Sequence, residues 1–351
     1  MAEQPDVGAA RLTDISPSIH RAGASPGGTA RPQAWASALI VFSGEGHDVD
    51  LAARLRARGL RVEAIDIKAG GAHHDVRRGG LAADLEARVQ RGDFDVVFLA
   101  TPCSSYSVAH RPQLRSRRSP LGTGIAPPHW RRYIDKHNEL ADITARLIDA
   151  AAAAGVAWAL ENPADRGDRT SLAWWPPFVN HAPIWISPSI RRAVRDAGGV
   201  TRTFAQCAFG AAVQKWTSIA HSPSLSTDLA GLDAHSCPHG RLQHEQRAHG
   251  LAPDGSFLSA AAAAYPPQMN EYLANALADY ARRQWDARSA TLRGHRRNTQ
   301  ELGGRVADGH GLSDMVAAAC EAARTSTPPF ASLRNRRPES LDALRLEAIP
   351  T

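Results

Sequence analysis

Four short strand-like runs, three of them almost wholly apolar, alternate with helical stretches through the first half of this chain. They are Ala38-Leu39-Ile40-Val41-Phe42, Leu60 to Ile67, Asp95 to Ala100, and Val156-Ala157-Trp158-Ala159-Leu160. Strands buried on both faces need near-continuous apolar sequence, and strands of that kind belong to parallel sheets. A parallel pair cannot be closed by a tight turn and needs a crossover, usually a helix. The sequence supplies these at Val49 to Arg58, which stops at Gly59, at Leu81 to Gln90, and at Ile134 to Ala154. The alternation predicts an α/β fold built on a doubly wound, mostly parallel sheet.

The pattern also divides the chain. Residues 1–34 are rich in Gly, Ala, Pro and Ser without periodicity and read as a disordered arm. Residues 35–165 carry the alternating core. After Asp165 the periodicity loosens, so 166–264 read as a small, irregular subdomain facing substrate or DNA. Within it, Phe204 to Gly210 and Trp216 to Ala220 read as two short strands. Trp174, Trp175 and Trp185 read as core or interface filling. Residues 265–286 form a helix opened by Pro266-Pro267 that returns to the core. The Arg-rich residues 287–351 read as a mostly disordered tail, with one weak helix over Asp314 to Arg324.

Composition excludes some classes. No run of 18 apolar residues occurs, and the start Met1-Ala2-Glu3-Gln4-Pro5-Asp6 has no basic segment followed by an apolar one. The four cysteines (Cys103, Cys207, Cys237, Cys320) lie far apart, which argues against a disulfide framework. The expectation is an intracellular, cytoplasmic protein with reduced thiols and access to DNA. Lys plus Arg outnumber Asp plus Glu by 41 to 35, and only Lys68, Lys136 and Lys215 are lysines. Such an arginine bias fits a GC-rich coding sequence and contact with an anionic polymer equally well.

Open α/β sheets hold their ligands beyond the carboxyl ends of the strands. Phe42-Ser43-Gly44-Glu45-Gly46 follows the first strand, where glycines let backbone approach a ligand over a helix N-terminus. Asp66 ends the second strand, placed to accept bonds from both hydroxyls of a ribose. The missing third glycine favours an adenosine ligand without a pyrophosphate over a dinucleotide. Thr101-Pro102-Cys103-Ser104-Ser105-Tyr106-Ser107 follows the third strand, where Pro stops the strand and presents a thiol as a nucleophile. Glu161-Asn162-Pro163 ends the fourth, 58 positions after Cys103. A thiolate facing a carboxylic acid suits addition to an electron-poor ring whose nitrogen the acid protonates.

These segments resemble the cytosine-C5 DNA methyltransferases, which use S-adenosylmethionine. Phe42 to Gly46 looks like the family's cofactor loop and Asp66 like its ribose-binding acid. Pro102-Cys103 with Ser107 resembles its nucleophile loop, and Glu161-Asn162 its Glu-Asn motif. Gln206-Cys207 through Phe209-Gly210, with Lys215 and Thr217, resembles a block of the phage and mobile-element branches, as does Tyr265-Pro266-Pro267 before a helix. The resemblance covers about residues 38–282. It implies a Rossmann-like methyltransferase fold and S-adenosylmethionine held by Phe42, Ser43, Gly44, Glu45, Gly46, Asp66, Ile67, Asp75, Thr101 and Pro102. It implies catalysis by Cys103, Glu161 and Asn162: the sulfur adds to C6 of a cytosine flipped out of duplex DNA while Glu161 engages N3.

The chain departs from the family at Ile40, where an acidic residue is usual, and at Pro163, where Val is usual. The Gln-x-Arg-x-Arg block is missing, and about 55 residues between Gly210 and Tyr265 are few for a target-recognition domain. Two other readings therefore accompany the DNA enzyme: an RNA or modified-pyrimidine methyltransferase, and a non-catalytic nucleic-acid-binding protein on the same scaffold. Residues 111–129, with Arg111, Arg115, Arg117 and Arg118, read as a long mobile loop able to close over phosphates. His235, Cys237 and His239, with His244 and His249, fit no standard zinc-finger spacing and read as a polar turn, so no metal is expected.

Overall fold

The computed structural model describes residues 35–110, 112–122, 128–239, 244 and 263–307. The sequence expectations for residues 1–34, Arg111, His249, Cys320 and the helix at 314–324 lie outside them. The chain divides into two units, residues 1–282 and 283–351.

The first unit is built on one six-stranded sheet. Its strands are β1 (Ala36–Val41), β2 (Leu60–Ile65), β3 (Val96–Leu99), β4 (Ala157–Pro163), β5 (Val200–Ala205) and β6 (Trp216–His221), in the spatial order β2-β1-β3-β4-β6-β5. The pairs β1–β2, β1–β3 and β3–β4 are parallel, and β6 runs antiparallel to both β4 and β5. The sheet is thus mixed and mostly parallel, as the apolar runs predict. The helices are α1 (Leu51–Ala57), α2 (Ile67–Gly70), α3 (Leu81–Gln90), α4 (Pro128–Ala154), α5 (Pro188–Asp196) and α6 (Pro267–Ala307).

All six residues of β1 and all four of β3 are buried, because helices cover both sheet faces. Alternation sorts them. Leu39, Val41, Val97, Leu99, Trp158 and Leu160 pack with residues of α3, α4 and α5 on one face. Ala38, Ile40, Val96, Phe98, Ala157 and Ala159 pack with residues of α1 and α6 on the other. Buried Met269, Leu273, Leu277 and Ala281 recur at intervals of four, which gives α6 a single apolar stripe for this sheet. Asp50 caps α1, accepting from Ala53 N at 2.7 Å.

The order β2-β1-β3 means that the chain leaves β1 for one side, then crosses to the other. The carboxyl ends of β1 and β3 therefore flank a switch point, where loops diverge and leave a crevice.

Three expectations need correction. The described part of residues 166–264 is not a separate irregular subdomain, since it supplies α5, β5 and β6 and completes the sheet. Of the two short strands expected there, only Trp216–His221 forms as such. The other lies earlier, at Val200–Ala205, and Gln206–Phe209 is a 3-10 turn. Finally, helix α6 does not stop near residue 286 but runs to Ala307, so the expected disorder from 287 fails for that stretch. Among the described residues no helix is long and apolar enough to cross a membrane.

Candidate functional site

Strand β4 outruns its parallel neighbour. Strand β3 ends with Leu99 opposite Leu160, whereas β4 continues through Glu161, Asn162 and Pro163. Those three residues pair only with β6, Glu161 against Ile219 and Asn162 against Ser218. Their other edge faces the Thr101–Ser107 segment that leaves β3. Asn162 spans the gap, donating from Nδ2 to the Thr101 carbonyl at 2.7 Å. The Thr101 hydroxyl in turn bonds that of Thr144 on α4 at 2.7 Å.

Period-two alternation turns Glu161 to the opposite face from Asn162, towards the start of α6. Its carboxylate is buried, and burial of a charge demands partners. Tyr265 donates its hydroxyl to Oε2 at 2.8 Å, and the Lys215 ammonium lies 3.7 Å from Oε1, close enough for attraction but not for a hydrogen bond. Oε1 therefore has no hydrogen-bond donor among the described residues. Lys215 Nζ also sits 5.8 Å from the centre of the Tyr265 ring.

Cys103 is half-buried, and its thiol belongs to the same electrostatic unit. Burial pushes the thiol above its ordinary value, the Lys215 ammonium pulls it down, and the Glu161 carboxylate pushes it up again. Tyr265 is raised well above its ordinary value by burial, then by the charge of Glu161 and its hydrogen bond, with a smaller contribution from Cys103. Thus Cys103 and Glu161 share one electrostatic unit with Lys215 and Tyr265, which the sequence marked only as parts of two blocks, while Asn162, expected in catalysis, turns to the other face and holds the Thr101 carbonyl. In a chain with three lysines among 41 basic residues, Lys215 is itself a signal.

The nucleophile segment is tied down on its far side as well. His137 of α4 is buried; its Nδ1 lies 2.8 Å from the Tyr133 carbonyl and its Nε2 2.9 Å from Ser104 Oγ. A carbonyl only accepts, so Nδ1 carries the proton and Nε2 accepts from the Ser104 hydroxyl. Burial drives this imidazole down to about 4. His181 donates from Nε2 to the Tyr106 carbonyl at 2.7 Å. Neither histidine carries any signal in the sequence.

Arg115 corrects an expectation. It is 3% exposed, donates to Ser105 Oγ at 3.0 Å and Asn138 Oδ1 at 2.7 Å, and stacks 3.9 Å over the Tyr106 ring. It cannot reach a phosphate, and residues 112–122 form a pinned turn bridged between Ser116 and Ser119 instead of a long free loop. Pro128 and His129, expected in that loop, begin α4. Arg118 is exposed. Arg117 pairs with Asp165 at 2.9 Å and, with Arg191, Arg192 and Arg195 of α5, lines a cleft of about 450 Å³.

At the end of β1, Phe42 takes a left-handed conformation (φ 66°), rare for a bulky residue, while its N–H bonds the Ile65 carbonyl at 2.7 Å. Strain of that kind amounts to about 1–3 kcal/mol and is typical of ligand sites. Gly44 (φ 83°) follows, and a side chain there would meet nothing within 4 Å, so the turn borders open space. Its N–H donates to Asp66 Oδ2 at 2.8 Å, and Lys68 N donates to Oδ1 at 2.8 Å. Each Asp66 oxygen thus keeps accepting capacity. Beside it Ile67 is 49% exposed, a large apolar side chain left uncovered at the crevice. Ser43 is half-buried, and Glu45 and Gly46 are exposed. The Glu45 carboxylate lies 3.6 Å from the Lys68 ammonium. Asp75 is held by Arg77 through two oxygens, at 3.0 and 2.7 Å, and by Arg78 at 3.3 Å, so its carboxylate is engaged within its own turn.

No protein-family model matches this chain, and no curated protein does.

Proposed function

We propose that this chain methylates C5 of cytosine in DNA on a Rossmann-like methyltransferase scaffold, with S-adenosylmethionine as methyl donor. The observation that carries the reading is the sharing of one ammonium, Lys215, by the Cys103 thiol and a buried Glu161 whose Oε1 lacks a donor. A buried acceptor without a partner is costly, and the exocyclic amino group of a cytosine satisfies it.

The residues at the switch point fit the donor molecule. The open space beside Gly44 admits its backbone approach, the unused lone pairs of Asp66 suit ribose hydroxyls, and uncovered Ile67 offers a face to adenine. When bound, the cofactor supplies an electrophilic methyl group carried on a sulfonium.

Cytosine reaches this depth only if it is flipped from the duplex. Cys103 Sγ forms a bond to C6, and the electron pair of the C5–C6 double bond moves through C5 and C4 toward N3. N3 takes a proton from Glu161, and C5 acquires nucleophilic character. Lys215 compensates one negative charge, whether it sits on Glu161 or on Cys103, so the pocket favours proton movement between the two. Tyr265 holds Oε2, which leaves Oε1 for the base. Restoring the ring requires return of the N3 proton to Glu161, loss of the C5 proton to water, and rupture of the C6–S bond, which returns the electron pair to Cys103. The arginine cleft of Arg117, Arg191, Arg192 and Arg195, with exposed Arg118, suits DNA phosphates.

Transfer of radiolabelled methyl from the cofactor to DNA and to RNA, with cofactor binding followed by calorimetry, tests the proposal. DNA labelling that disappears in Cys103→Ala while cofactor binding persists is the expected result. Labelling of RNA alone overturns the substrate assignment. Turnover in Cys103→Ala, or DNA binding with no cofactor binding, overturns the chemistry.

A further inference from the structure

Cys207, Cys237, His239 and His244 converge on one point. One ligand atom from each lies within 4.8 Å of all the others. Cys237 Sγ and His244 Nε2 are 3.3 Å apart, and the rings of His239 and His244 stand with centroids 4.9 Å apart. A zinc ion bound by two sulfurs and two imidazole nitrogens, with bonds of about 2.3 and 2.0–2.1 Å, has ligand atoms about 3.3–3.8 Å apart. The cluster needs only slight contraction to match. We propose that these four side chains bind a structural zinc ion.

The backbone explains the convergence. Cys207 sits buried in the 3-10 turn Gln206–Phe209 that follows β5. Ala205 N donates to the His235 carbonyl at 2.8 Å, which lays the 235–239 segment against the end of β5 and brings Cys237 to Cys207. His235 is not a ligand: its ring stacks on Phe209 at 4.1 Å and its Nδ1 bonds the Gly231 carbonyl at 3.0 Å. The proposed set leaves out His235 and takes in Cys207, 30 positions before Cys237, where the sequence reads as a polar turn without a metal.

Two thiolates and two imidazoles are a borderline-soft set that suits zinc over magnesium or calcium. With four protein ligands the site is closed, which points to structure and not to hydrolysis. Gln214 donates from Nε2 to Cys237 Sγ at 3.4 Å, an outer bond that stabilises a metal-bound thiolate. Gln206 N donates to the Lys215 carbonyl at 2.9 Å, so the ion anchors the turn from which Lys215 reaches Glu161.

The test is the metal content of the full-length chain, purified without chelator, by mass spectrometry, followed by cobalt substitution. The expected result is about one zinc per chain and a cobalt spectrum of tetrahedral, thiolate-ligated form. Cys237→Ser should reduce the content to background. His239→Ala, at an exposed position, should weaken retention against a chelator while circular dichroism stays unchanged. Three results overturn the proposal: a folded wild-type chain that takes up no zinc on reconstitution, full zinc retention in Cys237→Ser, or a Cys207–Cys237 disulfide in the metal-free protein. None of these readings involves cofactor or nucleic acid, so they stand apart from the fate of the methyl-transfer reading.

Discussion

His137 gives the sharpest quantitative expectation. Its imidazole is 3% exposed and is driven from 6.5 to about 4, mainly by burial. The folded protein therefore holds it neutral while the unfolded chain charges it in mildly acidic solution. Its contribution to stability is complete above 6.5 and is lost as pH falls through about 4. The gap between those values corresponds to about 3 kcal/mol, of which about 2 kcal/mol is gone near pH 5. Guanidinium unfolding of the wild type and of His137→Gln, from about pH 8 to about pH 5, measures it by linear extrapolation. The neutral amide has no proton to gain, so the wild type should lose about 2 kcal/mol more than the variant. Comparison cancels the other acid-sensitive groups, among them buried His181 and His221, both also held below their ordinary values by burial. Parallel curves would refute the buried neutral imidazole, and with it the bond from Ser104 that steadies the residue beside Cys103.

Two further expectations concern charge. Lys215→Gln should raise the Cys103 thiol further and Glu161→Gln should lower it, read from the pH dependence of iodoacetamide labelling at Cys103; shifts of the same sign would break the proposed sharing of one ammonium. Arg115→Met should destabilise the protein by about 2–4 kcal/mol through its stranded partners and leave the salt dependence of DNA binding alone, whereas Arg118→Ala should leave the unfolding midpoint unchanged and flatten the salt slope by about one. Equal effects of the two on the salt slope would contradict the burial of Arg115.

The central strands were legible because burial on both faces leaves no polar residue in β3 and only Ser37 in β1. The antiparallel partner of the polar end of β4 was not. Glu161-Asn162-Pro163 is poor strand sequence, and it is extended because β6, more than 50 residues later, pairs with it antiparallel. Helix α5 escaped for a different reason: only Ile190 and Ala193 of its nine residues are buried, too few to write a periodicity. Arg115 read as a surface cation because a buried guanidinium depends on partners the local sequence does not reveal, here Tyr106, Ser105 and Asn138. At the site, Cys103 and Glu161 were visible as residue types that apolar strands do not explain. The groups that set their charge, Lys215 and Tyr265, arrive through long-range contacts and showed only as family-like blocks.

The segment carrying Cys103 is fastened at three successive points: Thr101 by Asn162, Ser104 by His137, and Tyr106 by His181 with Arg115 lying across its ring. A sulfur mounted that firmly has little freedom to chase its target. Under the proposed methyl transfer, the rearrangement that brings reactants into register falls on the incoming polymer and its extruded base, and rigidity at the thiol becomes a filter on which polymers are deformable enough to be used.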